Sequence, residues 1–544
     1  MKKAICIFLL LITFSCCKGK PSEISGADMK SVSGEPAYGD TLIEGSIGEP
    51  SVLIPMLAGD QSSHEVAGLV FNGLVKYDTD LSVIGDLAES WDISKDGLVI
   101  TFHLRKGVKW TDGVEFTAED VLYGYKTIID EKTPTAYSED FRQVKKAEVP
   151  DPYTFRVTYE KPFAPALTSW GSLVVLPKHL LEGKDITKSE LTRNPVGMGP
   201  YIFRKWVTGQ ELVLDSNKTY FEGRPYIDQF IYRVIPDRAA MFLELRTGGV
   251  DMMDLTPLQY MKQTDNDFFK ANFNKFKYPA FQYTYMGFNL KHPFFKDKRV
   301  RQAIAYGIDK SEIVDVVLFG LGSPATGPYV PNTWPYNPDV KKYEYNPEKA
   351  KQLLKEAGWE DTDGDGLLDK DGRPFEFTIL TNIGNSLRMN TATIIQWRLA
   401  KIGIKVNIRV LEWSTFVNEF VDKRRFEAVI LGWSIGLDPD QYDIWYSGKT
   451  KEKEFNFVSY NNPEVDALLE KGRRTFDINE RKKAYFRIQE ILADELPYIF
   501  LYVPDATTIV SARFKGIKPA PIGITYNLPK WYVPKRLQLH IPEP

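Results

Sequence analysis

The stretch from Phe375 to Leu431 constrains the fold more than any other part of the chain. Phe375, Phe377 and Ile379 alternate with Glu376 and Thr378, the two-residue period of a strand with one buried face. That strand ends near Asn382. Ser386 to about Lys401 reads as a helix, with Gly403 as its stop. Ile404-Lys-Val-Asn-Ile-Arg-Val-Leu-Glu-Trp413 alternates again. Ser414 is placed to cap a short helix carrying Phe416, Val417, Phe420 and Val421, and Phe426 to Leu431 is a third strand. This strand–helix–strand–helix–strand order predicts an α/β fold of parallel strands joined by right-handed crossovers. Parallel strands end on a common edge, and open α/β sheets bind ligands there. Asn382, Trp413 and Trp433 are thereby expected at a ligand cleft, although both tryptophans also suit a core.

A chain of 544 residues is longer than one hydrophobic core organises, so several lobes are expected. Its three cysteines are Cys6, Cys16 and Cys17. The body of the chain therefore offers no disulfide, thiol nucleophile or thiolate metal site. The five histidines form no close pair and no His-Glu-x-x-His, which argues against a zinc centre. A formal charge of -3 gives no electrostatic case for nucleic acid as a partner.

Lys2-Lys3 followed by the apolar run Ala4 to Phe14 has the build of a signal peptide, and it is too short to span a bilayer comfortably. The run ends in Ser15-Cys16-Cys17, where Cys16 after a small residue suits lipidation. Residues 1–15 are expected to be removed. Residues 16–38, rich in Gly, Ser, Pro and charge, are expected to be a flexible tether behind a lipid anchor.

Leu87 to Asp120 reads as strands and turns leading into a helix. Ile100, Phe102 and Leu104 alternate with polar residues, Asp96-Gly97 and Asp112-Gly113 are turn signals, and Thr117-Ala-Glu-Asp120 opens a helix like a capping box. This segment resembles the signature region of the bacterial extracellular solute-binding proteins of family 5, the peptide- and nickel-binding components of ABC importers. Asn194-Pro-Val-Gly-Met-Gly-Pro-Tyr201, Leu243-Glu-Leu-Arg-Thr-Gly-Gly-Val-Asp251 and Met286-Gly-Phe-Asn289 with Phe295 to Ile304 resemble further family elements in family order. The resemblance implies a two-lobe periplasmic-binding-protein-like fold with a hinge of two chain crossings and an inserted third subdomain. The first lobe would comprise residues 39–68, 195–285 and 503–544, the insert 69–194 and the second lobe 286–502. It further implies a non-catalytic monomer, held to a membrane by its lipid, that passes a short peptide to an ABC permease.

The candidate site residues follow from both lines. Trp413, Trp433 and Asn382 come from strand order. Gln61, in the polar loop Gly59 to Glu65, and Tyr285 and Asn289, at the lobe crossing, come from the resemblance. In oligopeptide-binding members an Asp three residues after the cleft Trp pairs with the ligand's amino terminus; here that position is Gly436, and Asp438 is the nearest substitute. Asp438-Pro-Asp-Gln441 also reads as a helix start. An Arg three residues before the Trp, suited to a carboxylate, is Ile430 here. Three other readings compete: an oligosaccharide stacked on Trp413 and Trp433; an exported hydrolase using Ser434 of Gly432-Trp-Ser-Ile-Gly436 or a pair of cleft carboxylates; and a surface receptor or adhesin that has kept the fold. No cofactor is expected, except that Asp361, Asp363, Asp365 and Asp369 stand at positions 1, 3, 5 and 9 of a calcium-type loop. Gly372 replaces the bidentate Glu at position 12, so an acidic hairpin turn is the alternative.

Overall fold

The computed structural model describes residues 29–171, 175–436 and 438–540. The expected signal peptide, Cys16 and most of the expected tether lie outside these residues. The organising element is the strand Tyr498–Ser511. Tyr, Ile, Phe, Leu and Val fill its first six positions, and all six are buried, as in a strand covered on both faces. Burial lapses at Pro504, Asp505 and Ala506 and returns from Thr507 to Ser511.

The two buried runs serve different halves of one 12-stranded sheet. Tyr498 to Tyr502 pairs antiparallel with Gln282–Phe288, which pairs with Ala428–Ser434; Glu376–Asn382 and Lys405–Leu411 follow. Asp505 to Ser511 pairs with Phe273–Pro279 on one edge and, from Thr508, with Met252–Asp254 on the other. Thr41–Ser46, Gln229–Val234, Glu211–Ser216 and Tyr201–Val207 continue that half. Two chain segments thus pass between the halves. One is Ala280–Phe281, between consecutive strands. The other is Val503–Pro504, inside the long strand, and the Ala280 N–H donates to the Pro504 carbonyl at 3.3 Å.

The α/β order predicted for the second half is present. Glu376–Asn382 lies parallel to Lys405–Leu411 and to Ala428–Ser434. The helix Ser386–Ala400 joins the first pair and buries Thr391, Ala392, Ile395 and Leu399, and Gly403 takes the left-handed φ of 79° that turns the chain out of it. Phe375, Phe377 and Ile379 meet Ile395, Leu399 and Val406 in one core. Two details differ from the sequence reading. The second crossover starts at Trp413, before Ser414, because the Glu412 carboxylate accepts the Thr415 N–H at 2.8 Å. The third strand runs three residues past Leu431 to Ser434, because its antiparallel neighbour continues the ladder as far as the pair Gln282–Ser434.

The chain between the two parts of the first half builds a separate unit. Ala88–Ile93, Val99–Leu104, Thr154–Tyr159 and Val144–Asp151 form a four-stranded antiparallel sheet. Ile100, Phe102 and Leu104 point into its core around Trp170. The helix Ala118–Ile128 starts where the Asp120 carboxylate accepts the Thr117 N–H at 3.0 Å. No helix among the described residues is long and apolar enough to cross a membrane.

The glycine-rich turn before Tyr201 fixes this unit to the first half. Its backbone lies on the end of the helix Gln61–Val70, with the Gly199 N–H donating to the Val70 carbonyl at 2.8 Å. A Cβ on Gly197 would overlap that carbonyl oxygen, whereas one on Gly59 would meet nothing within 4 Å. Gly197→Ala is therefore expected to destabilise the protein by about 2–4 kcal/mol in urea unfolding, as a forced overlap of backbone does. Gly59→Ala should leave the midpoint nearly unchanged.

Candidate ligand-binding cleft

A cavity of about 630 Å³ opens where the long strand passes from one half to the other. Its floor is the two crossings: Pro279 to Gln282 and Pro504 to Thr508. Its size lies in the range of small-ligand sites.

One wall is anionic. Strand alternation sets Glu44 on the same face as the core residue Leu42, under the helix Gln61–Val70. Asp60 caps that helix, accepting the Ser63 N–H at 2.8 Å. Glu65 lies one turn above Gln61, whose Nε2 donates to Glu65 Oε1 at 2.7 Å. Asp254 ends its strand and accepts the Thr508 hydroxyl at 2.7 Å. The Glu44 carboxylate makes no hydrogen bond or ion pair among the described residues. Glu44 is half-buried, whereas Glu65 and Asp254 are exposed to the cleft. Desolvation first, then repulsion from Glu65 and Asp254, lifts the Glu44 carboxyl well above the usual range. Desolvation and repulsion from Asp254 lift Glu65 to about 7, against partial relief from Gln61 and Tyr232. Arg238 also lines this side, its charge opposed by burial and favoured by Asp254.

The facing wall is cationic. Asn385 caps the helix Ser386–Ala400, and Arg388 sits in its first turn. A cation at the positive end of a helix dipole is unfavourable. Burial presses further against the charge, and only the phenols of Tyr502 and Tyr285 favour it. Arg388 Nη1 donates to Asn382 Oδ1 at 2.9 Å. Gly432 leaves space for the guanidinium: a Cβ there would lie 3.3 Å from Nη2. Ser434 lines the cavity as well.

The residues expected at the site divide. Gln61 lines the cavity, and Asn382 acts on it by holding Arg388. Trp433 instead stacks on Phe457, meets Phe455 edge-on and donates Nε1 to Tyr498 Oη at 3.4 Å. Trp413 is 47% exposed and packs on Phe416, with the Arg388 guanidinium 6.0 Å from its ring. Tyr285 is buried and stacked on Tyr498 at 3.9 Å. The Asn289 amide donates to the carbonyls of Arg424 and Phe426, holding the turn before the third strand. Both Asp438 oxygens take Arg481 Nη2, at 2.8 and 3.0 Å. The helix after it is Tyr442–Trp445, with Gln441 rather than Asp438 in the cap position. Asp361, Asp363 and Asp365 bring carboxylate oxygens within 4.8 Å of one another at the surface. The same side chains accept the N–H groups of Gly364, Gly366, Asp365 and Leu367, and Asp369 turns to Thr362.

Sequence reasoning missed Glu44, Asp254 and Arg388. The segment Gly59 to Glu65, which it placed at the cleft as a loop, is the cap and start of the helix Gln61–Val70, and it singled out Gln61 there rather than Glu65. Two faint signals existed: an acid at a core-facing position of a short strand, and an arginine in a helix's first turn. A second bridge joins the inserted unit to the second half beside the cleft. Arg473 pairs with Asp140 at 2.9 Å and Asp440 at 2.6 Å, and Lys449 pairs with Glu139 at 2.8 Å.

The anionic wall sets a pH dependence. Glu44 and Glu65 have folded pKa values above the ordinary 4.5, so the folded state binds more protons than the unfolded chain. Their contribution to stability is fully present below that value and is lost as pH rises above it, for Glu65 through about 7. The melting temperature of the ligand-free protein should therefore fall between about pH 5 and about pH 8, and Glu44→Gln should flatten that slope in a thermal-melt series.

Three comparisons bear on this geometry. The oligopeptide-binding protein AppA of Bacillus subtilis (strain 168) is 37% identical over 543 residues, 97% of this chain and 98% of its own. The structure of B. subtilis AppA in complex with a nonapeptide superposes with a TM-score of 0.85 at 36% identity, covering 92% of this chain and all of that one. NikZ from Campylobacter jejuni in complex with Ni(L-His) gives 0.84 at 32%, over 91% and 99% of the two chains. DppA from Helicobacter pylori in complex with the peptide STSA gives 0.81 at 31%, over 92% and 99%. The model of the bacterial extracellular solute-binding proteins, family 5, matches residues 82–455. A sheet split between two halves, a cavity at their junction and this match across most of the chain lead to one conclusion: the chain belongs to that family of solute-binding proteins.

Proposed function

We propose that the protein is the substrate-binding component of an ABC importer and captures a short peptide in the cleft between its halves. The observation that carries the reading is the cavity on the two crossings, with carboxylates on one wall and Arg388 on the other. A peptide is a ligand with charges of both signs and a main chain rich in donors and acceptors. Arg388 at a helix N-terminus suits its carboxylate. Similarity to AppA and DppA, whose structures hold peptides, supports the same class. Closing the halves about Ala280–Phe281 and Val503–Pro504 would desolvate the ligand, strengthen each polar contact and create the surface a permease reads.

The oligosaccharide reading and the serine-hydrolase reading lose their ground. The oligosaccharide rested on Trp413 and Trp433, and neither lines the cavity. The hydrolase elbow needs a helix starting at Ser434; there the strand ends instead, and the Ile435 N–H donates to the Phe281 carbonyl at 2.7 Å. The reading involves no catalysis and needs no cofactor. Native mass spectrometry of the protein purified from its own cells should release a series of peptides. A sugar ladder, or hydrolysis of the released peptides by the protein, would overturn the reading.

A lipid on Cys16, a tether that ends before Met29 and a monomeric working state complete the proposal. The tether expected to reach residue 38 is shorter, because Met29 is buried, the Lys30 N–H donates to the Ala271 carbonyl at 3.3 Å and Tyr38 stacks on Tyr226. Cys16→Ser is expected to move the protein from the membrane fraction to the soluble fraction and to abolish incorporation of labelled palmitate. Retained label would place the anchor elsewhere.

A further inference from the structure

The anionic wall is larger than the second half's single guanidinium requires, and it does not pair with it. Glu44 comes from the strand Thr41–Ser46, Glu65 from the helix above it and Asp254 from the neighbouring strand Met252–Asp254. All three line the cavity. Repulsion among them is felt at each glutamate. Their neighbours do little to relieve it. Gln61 and Tyr232 donate to Glu65, and Asp60, at the head of the same helix, adds a further repulsion. Thr508 serves Asp254. Tyr278 faces the group and feels Asp254, Glu44 and Glu65 as like charges. Arg238 is the one cation lining the wall among the described residues. It sits beside Asp254 and forms no ion pair within 4.0 Å. The Glu44 carboxylate, the least exposed of the three, has no side-chain partner among the described residues.

Three carboxylates that line one cavity repel one another in the empty protein, and the half-buried one takes no donor from a described side chain. The arrangement becomes favourable when a cation enters the cavity and is shared among the three. The other anionic candidate at the cleft is already taken, because Arg481 holds both oxygens of Asp438.

We infer that the wall Glu44–Glu65–Asp254 is the part of the cleft that selects the ligand, taking an ammonium or guanidinium group of the bound peptide. The inference rests on the peptide reading above and adds the charge and position of the recognised group. The cation has two sources, the α-amino terminus or a Lys or Arg side chain, and the chemistry at the wall is the same for both. Proton linkage follows. Burial and mutual repulsion raise the carboxyls of Glu44 and Glu65 above the ordinary range, and an entering cation opposes that shift and favours loss of their protons. Affinity therefore rises with pH, and binding releases protons.

The test uses the whole chain and random-sequence pentapeptide libraries, with retained peptides counted by native mass spectrometry after gel filtration. Four libraries are compared: unmodified, N-acetylated, lacking Lys and Arg, and both N-acetylated and lacking Lys and Arg. The doubly altered library is expected to be retained at least about tenfold less than the unmodified one, the loss of a charge-assisted contact. Whichever single alteration produces that loss identifies the source of the cation. Retention of the unmodified library by the wild type should rise between about pH 5.5 and about pH 8. Glu44→Gln should flatten this rise and lower retention while keeping the wild-type melting temperature or exceeding it. Equal retention of all four libraries overturns the inference and leaves the peptide reading standing. Retention of none, the unmodified library included, overturns the peptide reading and this inference with it.

Discussion

Arg513 emerges two residues beyond the long strand and is only 1% exposed. Its guanidinium is shared among Asp40, Asp251 and the Thr41 carbonyl. A buried cation is tolerated only when every donor is satisfied and each partner is placed for it. Here that requirement ties three segments distant in sequence to one point. Asp251 also accepts the Ile43 N–H at 3.0 Å, so the strand that carries Glu44 and the turn that leads to Asp254 are positioned from the same knot. Asp40 holds the N–H groups of Leu539 and His540 as well, which draws the end of the described chain onto the first half. The anionic wall of the cleft is in this sense built on Arg513.

The long strand converts that local order into two halves. Its first run is locked into an aromatic core, with Tyr498 stacked on Tyr285 and Trp445 4.6 Å away. Its second run is locked into the first half's ladder. Between them Pro504 lacks an N–H, and burial lapses for three residues. The backbone there stays paired, Val503 and Pro504 with the strand Gly322–Pro324 and Asp505 and Ala506 with Phe273–Pro279. The cavity lies over this partly exposed segment, where the strand leaves one half for the other.

How much of this is legible in sequence follows from the range of the interactions. The parallel order around Glu376–Asn382 was readable because periodicity and caps are local: alternating Phe and Ile, then Ser386 to Gly403, then alternation again. The cleft charges were not. Glu44 and Arg388 face one cavity from segments with most of the chain between them, and nothing near either residue indicates the other. Trp433 illustrates the opposite error. It was placed at a strand end because the apolar run stops at Leu431, but the antiparallel neighbour Gln282–Phe288 extends the strand and turns the indole into the core against Phe457. The partner strand, not the residue's own neighbours, decided its side. The family resemblance gave the architecture for a different reason: its motifs, such as the glycines 197 and 199 that let backbone lie on backbone, are constraints of folding rather than of binding.

The departure at Asp438 sharpens the point. Members of the family that hold a peptide's amino terminus place a carboxylate just after the cleft tryptophan. Here Gly436 holds that position. Asp438, two residues on, is neutralised by Arg481, whose guanidinium also meets the phenol of Tyr485 at 3.2 Å. Such a pair is difficult to open, since freeing Asp438 would strand a buried arginine. A chain that loses its amine partner on one wall either gives up charged ligands or recognises them from another direction. The wall of Glu44, Glu65 and Asp254 faces the same cavity from the first half, anchored through Arg513. Like charges that line one cavity raise one another's energy, and a cation shared among them would lower it.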